Sequence, residues 1–134
     1  MTRRVSSGTP WEPVVGYSRA VAAGDHVWVS GCTSVVDGEV AHVGDIGAQT
    51  RQAIRNAEVA LAELGVALRD VVRTRLFVTD ISQWEAVGRV HGEAFADVMP
   101  ATSMVQISAL IDPAMLVEVE VVAYRPGVGG PQQP

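Results

Sequence analysis

Near its end the chain alternates strictly: Val117, Val119, Val121 and Ala123 are apolar, and Glu118 and Glu120 stand between them. A period of two is that of a half-buried strand, with β-branched side chains on one face and both carboxylates on the other. Glutamates are poor strand formers and costly to bury. Their ordinary fate is a solvated outer face; the alternative is a carboxylate set in a cleft, facing the turn from Pro100 to Met104. A second strand is predicted over Val71–Val78, with Val72, Thr74, Leu76 and Val78 on one side and Arg73, Arg75 and Phe77 on the other.

Between such strands the period changes to that of a helix. Ile46, Ala53, Ala57, Leu61 and Leu64 fall on one helical face, with Asp45 as N-cap and Gly65 as stop. A second helix is predicted after Asp80, capped by Ser82, with Trp84, Val87, His91, Phe95 and Val98 turned inward and Pro100 ending it. Before the first helix, strand-like runs near 18–22 and 27–30 flank Gly24-Asp25, and Val35-Val36-Asp37-Gly38-Glu39-Val40 repeats the hairpin device. Residues 1–13 read as an irregular lead-in, 14–125 as one domain, and 126–134, rich in glycine and proline, as a flexible tail. Strands, helix, strand, helix and strands in this order describe an α+β two-layer sandwich, a mixed sheet carrying both helices on one face.

Composition narrows the function. With 134 residues, 48% of them apolar and 19% charged, the chain is long enough for one packed core. A mean hydropathy of +0.21 is high for a domain that leaves one sheet face uncovered, which predicts self-association in a closed ring. The net charge of −5, with no basic stripe, argues against a nucleic-acid partner. No apolar stretch has membrane-spanning length, and Met1-Thr2-Arg3-Arg4 is not followed by an apolar run, so neither a membrane nor a secretory signal is expected. The single cysteine, Cys32, fits a reducing compartment, and the expected location is cytoplasmic. All ten cationic residues are arginines, which excludes Schiff-base chemistry through lysine. His26, His42 and His91 lack the spacing of a metal site, and His91 reads as a core or interface histidine.

Taken together, Gly16-Tyr17, Val27-Trp28-Val29-Ser30-Gly31, Asp45 with Gln49-Thr50-Arg51-Gln52, Val71 through Asp80, Pro100-Ala101-x-Ser103 and Val117-Glu118-Val119-Glu120 resemble the reactive-intermediate deaminase (RidA/YjgF) family. The resemblance spans roughly residues 14–124. It implies a chorismate-mutase-like fold and a homotrimer with clefts between subunits. It also implies hydrolysis of short-lived imines or enamines without metal or cofactor.

By position, the resemblance makes Glu118 the carboxylate that handles the hydrolytic water, Tyr17 the hydroxyl lining the cleft, and Ser30-Gly31 the polar turn beneath it. Thr102 stands where deaminating members carry an arginine that grips the substrate carboxylate through paired hydrogen bonds, a geometry threonine cannot supply. Met104 stands where the archetype has cysteine. Thr102 and Met104 are accordingly read as substrate-binding positions of an arginine-less branch, whose small-molecule ligand is neutral or differently charged. The competing reading is a non-catalytic trimer that binds a metabolite or a protein through the same clefts. Ribonucleolytic behaviour, attributed to some relatives, is disfavoured by the acidic balance.

Overall fold

The computed structural model describes residues 2–130. Six strands form one sheet in the order β1-β2-β3-β8-β6-β7: β1 (Thr2–Val5), β2 (Ala20–Ala23), β3 (His26–Cys32), β6 (Val71–Val78), β7 (Ala101–Gln106) and β8 (Val117–Tyr124). Every neighbouring pair is antiparallel except β6 and β7, which run parallel across the connection that holds α3 (Trp84–Phe95). A small hairpin, β4 (Val35–Val36) and β5 (Glu39–Val40), stands apart, and its Asp37-Gly38 turn has both residues at positive φ, as two-residue hairpins require. Helix α2 (Ile46–Ala62) and α3 share one face of the sheet, giving the two-layer α+β arrangement.

β8 is central because its alternation is complete. Val117, Val119, Val121 and Ala123 are fully buried against the helical layer, each apolar side chain worth about 1.5–3 kcal/mol for the larger residues. Glu118, Glu120 and Val122 are half-buried on the other face. Helix α2 starts where Asp45 accepts the Ala48 N–H at 3.0 Å, and the chain turns away at Gly65, whose φ is +74°. Its buried Gln49 donates to the Ala114 carbonyl and accepts from the Leu116 N–H, both at 2.9 Å, and so fixes the entry into β8.

Several local expectations are corrected. Val72 is exposed, because a register shift between Val71 and Arg73 breaks the alternation and gives the buried position to Val71. Asp80, not Ser82, caps the turn before α3, accepting both the N–H and the hydroxyl of Ser82. Trp84 is exposed: it opens the helix and lies along its outer flank, where a β-carbon at Gly88 would meet the indole at 4.0 Å. The irregular lead-in instead contains edge strand β1 and a short helix, α1 (Trp11–Val15).

Residues 126–130, assigned to a flexible tail, fold back over the β2–β3 turn. The Gly127 N–H donates to the Asp25 carboxylate, the Gly129 N–H to the Gly24 carbonyl and Arg3 to the Val128 carbonyl, while Val128 itself is buried. Turn groups left unpaired by the hairpin supply these partners. The remainder of that expected tail, 131–134, lies outside the described residues.

Candidate functional site

The face of the sheet opposite the helices carries the chemistry. At its centre β3 is irregular: its register against β8 shifts between Val29 and Cys32, so Ser30 and Gly31 form a bulge beside Glu118. The bulge brings backbone up to the carboxylate, and a β-carbon at Gly31 would lie 2.6 and 2.7 Å from the two Glu118 oxygens. Only glycine lets the carboxylate lie this close to the backbone. The Glu118 side chain makes no hydrogen bond or ion pair with another side chain among the described residues, while Glu120 lies 3.9 Å from Arg75. Burial and the negative charge of Glu120 push the Glu118 carboxyl above its ordinary value, and Arg19 partly opposes them.

Arg19 ties the surrounding groups together. One terminal nitrogen donates to the carbonyls of Ser30 at 3.1 Å and Gly31 at 2.7 Å, and the other to the Tyr17 hydroxyl at 3.4 Å. The guanidinium also lies 5.7 Å from the Tyr17 ring centroid. The Ser30 hydroxyl donates to the Ser18 carbonyl at 2.7 Å, closing the bulge onto the neighbouring segment. Beneath this set Cys32 is buried, which raises its thiol pKa and leaves it a poor nucleophile.

Tyr17 is held from its other side by Glu12. This buried carboxylate accepts the N–H and hydroxyl of Ser7 and of Thr9, while the Glu12 carbonyl receives the Gly16 and Tyr17 N–H groups. Burial pushes the Glu12 carboxyl up, but hydrogen bonds from Ser7, Thr9 and Ser6 outweigh it and hold the pKa at about 2. Gly16 ends α1 at φ +86°, turning Tyr17 toward Arg19. An open depression of about 460 Å³ results, bordered by Glu12, Tyr17, Ser18 and Ser30 together with Arg4 and Val21.

Tyr17, Ser30 and Gly31 thus form one set joined through Arg19, with Glu118 lying against Gly31. Thr102 and Met104 do not join it within one chain. They lie on β7, with β6 between it and β8, and face the helical layer: Thr102 pairs in register with Thr74, and Met104 with Leu76. Met104 packs against the core. The Thr102 hydroxyl is 2.8 Å from that of Thr74, which is 2.8 Å from Nε2 of His91. His91 stacks 4.6 Å from Phe95, and burial lowers its pKa, so it is neutral at pH 7.

From the sequence, Arg19 stands out only as one of three arginines, with Arg73 and Arg75, that could replace the missing guanidinium, and Glu12 and Thr74 were not singled out. Glu12 had an available signal, since Thr9-Pro10-Trp11-Glu12 has the spacing of a capping box with proline at the first helical position. Among the described residues no group of three or more histidine, cysteine, aspartate or glutamate side chains is placed to hold a metal ion. No helix among them is long and apolar enough to cross a membrane.

Comparison with known proteins assigns the fold a family. The family model described as Endoribonuclease L-PSP matches residues 9–125. The chain belongs to this YjgF/RidA family. A crystal structure of a YjgF/YER057c/UK114 family member from Mycobacterium tuberculosis is 52% identical, with a TM-score of 0.84, covering 92% of this chain and 99% of that one. An uncharacterised Streptomyces coelicolor protein is 44% identical over 94% of both chains. The 3-aminoacrylate deaminase RutC of Acinetobacter baylyi is 35% identical over 87% of this chain and 92% of its own length. At the level of the family, that relative supports a deaminase-like role.

Proposed function

We propose that this protein is a hydrolase of small imines or enamines, working without metal or cofactor in clefts between the subunits of a homotrimer. The observation that carries the reading is a half-buried Glu118 carboxylate, laid against the bare backbone of Gly31 and pushed above its ordinary pKa by burial and by Glu120. A water on the side of that carboxylate turned away from Gly31 would meet a group poised to accept a proton.

The reaction balances with few groups. Ionised Glu118 takes a proton from water as its oxygen bonds to the C=N carbon, giving a tetrahedral aminoalcohol. Tyr17, whose oxygen accepts from Arg19 and lies 3.5 Å from the Thr9 hydroxyl, would turn its own proton from Thr9 to the departing nitrogen. On collapse the Glu118 proton passes to the departing nitrogen and the hydroxyl proton to the Tyr17 oxygen, which forms the carbonyl, releases ammonia and restores both groups. An enamine enters the same sequence after protonation at carbon.

Two features support a trimer. The open sheet face exposes Trp28 and Tyr124 with His26 stacked between them at 5.8 and 5.2 Å, an aromatic surface suited to burial against another copy. Thr102 lies away from Glu118 in its own chain and would border the cleft of a neighbour. The test is ammonia release from short imines and enamines generated in situ, compared with their spontaneous hydrolysis, on protein whose trimeric mass is established by light scattering. Acceleration is expected; a trimer that gives none overturns the catalytic reading and leaves a binding module.

A further inference from the structure

Edge strand β1 carries two consecutive arginines, whose side chains alternate between the faces of the sheet. Val5 and its partner Ala20 are buried under the helices, so Arg4 and its partner Val21 lie on the open face. Arg3 spends its guanidinium on the Val128 carbonyl at 3.0 Å. Arg4 is exposed, donates no hydrogen bond and forms no ion pair among the described residues. It borders the depression of about 460 Å³ that Tyr17, Ser18, Val21 and Ser30 also line.

That depression offers donors without an acceptor to match. The one carboxylate among its lining residues, Glu12, is buried and already accepts from the N–H and hydroxyl groups of Ser7 and Thr9, and it forms no ion pair with Arg4. The Ser30 hydroxyl is turned onto the Ser18 carbonyl. The hydroxyl of half-buried Ser18 has no partner among the described residues. A guanidinium fork and a free hydroxyl beside an apolar valine suit an oxyanion carried on a carbon chain. One guanidinium balances one negative charge, and ionised Glu12 nearby disfavours a second. The match is a carboxylate, not a phosphate dianion.

We infer that Arg4 is a specificity-determining residue that, with the Ser18 hydroxyl, takes up a carboxylate of the ligand. Arg4 stands on β1 and Glu118 on β8, with β2 and β3 between them. Side chains stand roughly perpendicular to a sheet, and three strand spacings are about 14 Å, so the two groups meet well-separated ends of the ligand. This placement rests on the reading above, in which Glu118 serves the reacting end; the carboxylate site itself does not. It names the substrate class: imines or enamines that bear a carboxylate remote from the C=N group.

The test titrates two product analogues of equal length, 6-oxoheptanoate and 6-oxoheptanamide, calorimetrically into the intact protein, with inorganic phosphate as a third probe. The wild type is expected to bind the acid at least about tenfold more tightly than the amide, the least that a charge-assisted hydrogen bond supplies. Arg4→Gln should bind the two alike, and Arg4→Lys should keep a reduced preference. Both substitutions are at an exposed position and should leave the melting temperature unchanged. Equal affinity of the wild type for acid and amide, a preference unchanged in Arg4→Gln, or binding of neither compound overturns the inference, whatever the rate of ammonia release. Arg4-dependent binding of phosphate that is tighter than that of the acid overturns the assignment to a carboxylate. An Arg4-dependent preference for the acid in a protein that releases no ammonia supports the site and overturns the proposed function instead.

Discussion

The backbone at Gly31 passes directly against the carboxylate of Glu118, so close that a β-carbon there would lie 2.6 and 2.7 Å from its two oxygens. The contact joins two elements that each require the other. The β3 bulge delivers the glycine, and the period of β8 delivers the glutamate to the same face. Gly31 does not need a left-handed backbone, so alanine is sterically acceptable to its own φ and ψ. The Gly31→Ala protein is therefore expected to fold with a melting temperature within a few degrees of wild type, the glutamate swinging aside at its flexible end. Its kcat/KM for imine hydrolysis should fall at least about tenfold, since a carboxylate displaced by an ångström loses its alignment with the water.

The pH dependence follows from the sign of the Glu118 shift. Its ordinary carboxyl value of 4.5 is raised by burial first and by Glu120 second. The base is the anion, so kcat/KM should rise with pH through an inflection above 4.5. Glu120→Gln removes the repulsion and should move that inflection downward. Linkage gives a second consequence. A raised folded-state pKa means that ionisation works against folding as pH climbs from the unfolded value through the folded one. Glu118→Gln should thus melt no lower than wild type at pH 7, however far activity falls.

Glu12 behaves in the opposite sense. Its pKa is held at about 2 against an ordinary 4.5, so its contribution to stability is complete above 4.5 and fades as pH falls toward 2. Glu12→Gln leaves donors of Ser7 and Thr9 short of a charged acceptor, and should cost about 1–3 kcal/mol at pH 7. Thermal melts at pH 7 and pH 2.5 measure the difference, which should shrink toward zero at the lower pH.

Arg19→Lys tests the fork that fixes Tyr17, Ser30 and Gly31. An ammonium is a point donor and cannot span both carbonyls and the phenol as the guanidinium does. A loss of about 1–3 kcal/mol in stability is expected, together with a fall in kcat/KM that is larger than the change in KM. Lowered stability with kcat/KM unchanged would assign Arg19 to folding alone.

Much of this fold is legible in the chain. The β8 alternation, the apolar face of α2 and the Asp37-Gly38 turn each express a local rule that tertiary structure left intact. The departures arise where a distant partner decides. Val72 lost its inward position to a bulge that depends on pairing with β8, and residues 126–130 are anchored by hairpin groups more than a hundred positions away in sequence. The site divides in the same way. Glu118 and Gly31 were both visible as site candidates, but their contact was not, because it rests on the irregular register of β3. The face that Thr102 presents depends on its parallel pairing with β6, which no local pattern specifies. Met104, read from the sequence as a substrate-binding position, pairs with Leu76 and packs against the core, a placement set by the register of β7 on β6.

The most direct measurement of the central claim is the rate of ammonia release by Glu118→Gln against wild type, on proteins of equal trimeric mass and equal thermal stability. The substitution keeps the size of the side chain and removes only its basicity. If Glu118 accepts the proton of the attacking water, the rate falls by about 10²–10⁴-fold, the span that general-base catalysis contributes. A Glu118→Gln protein that retains most of the wild-type rate would contradict the account.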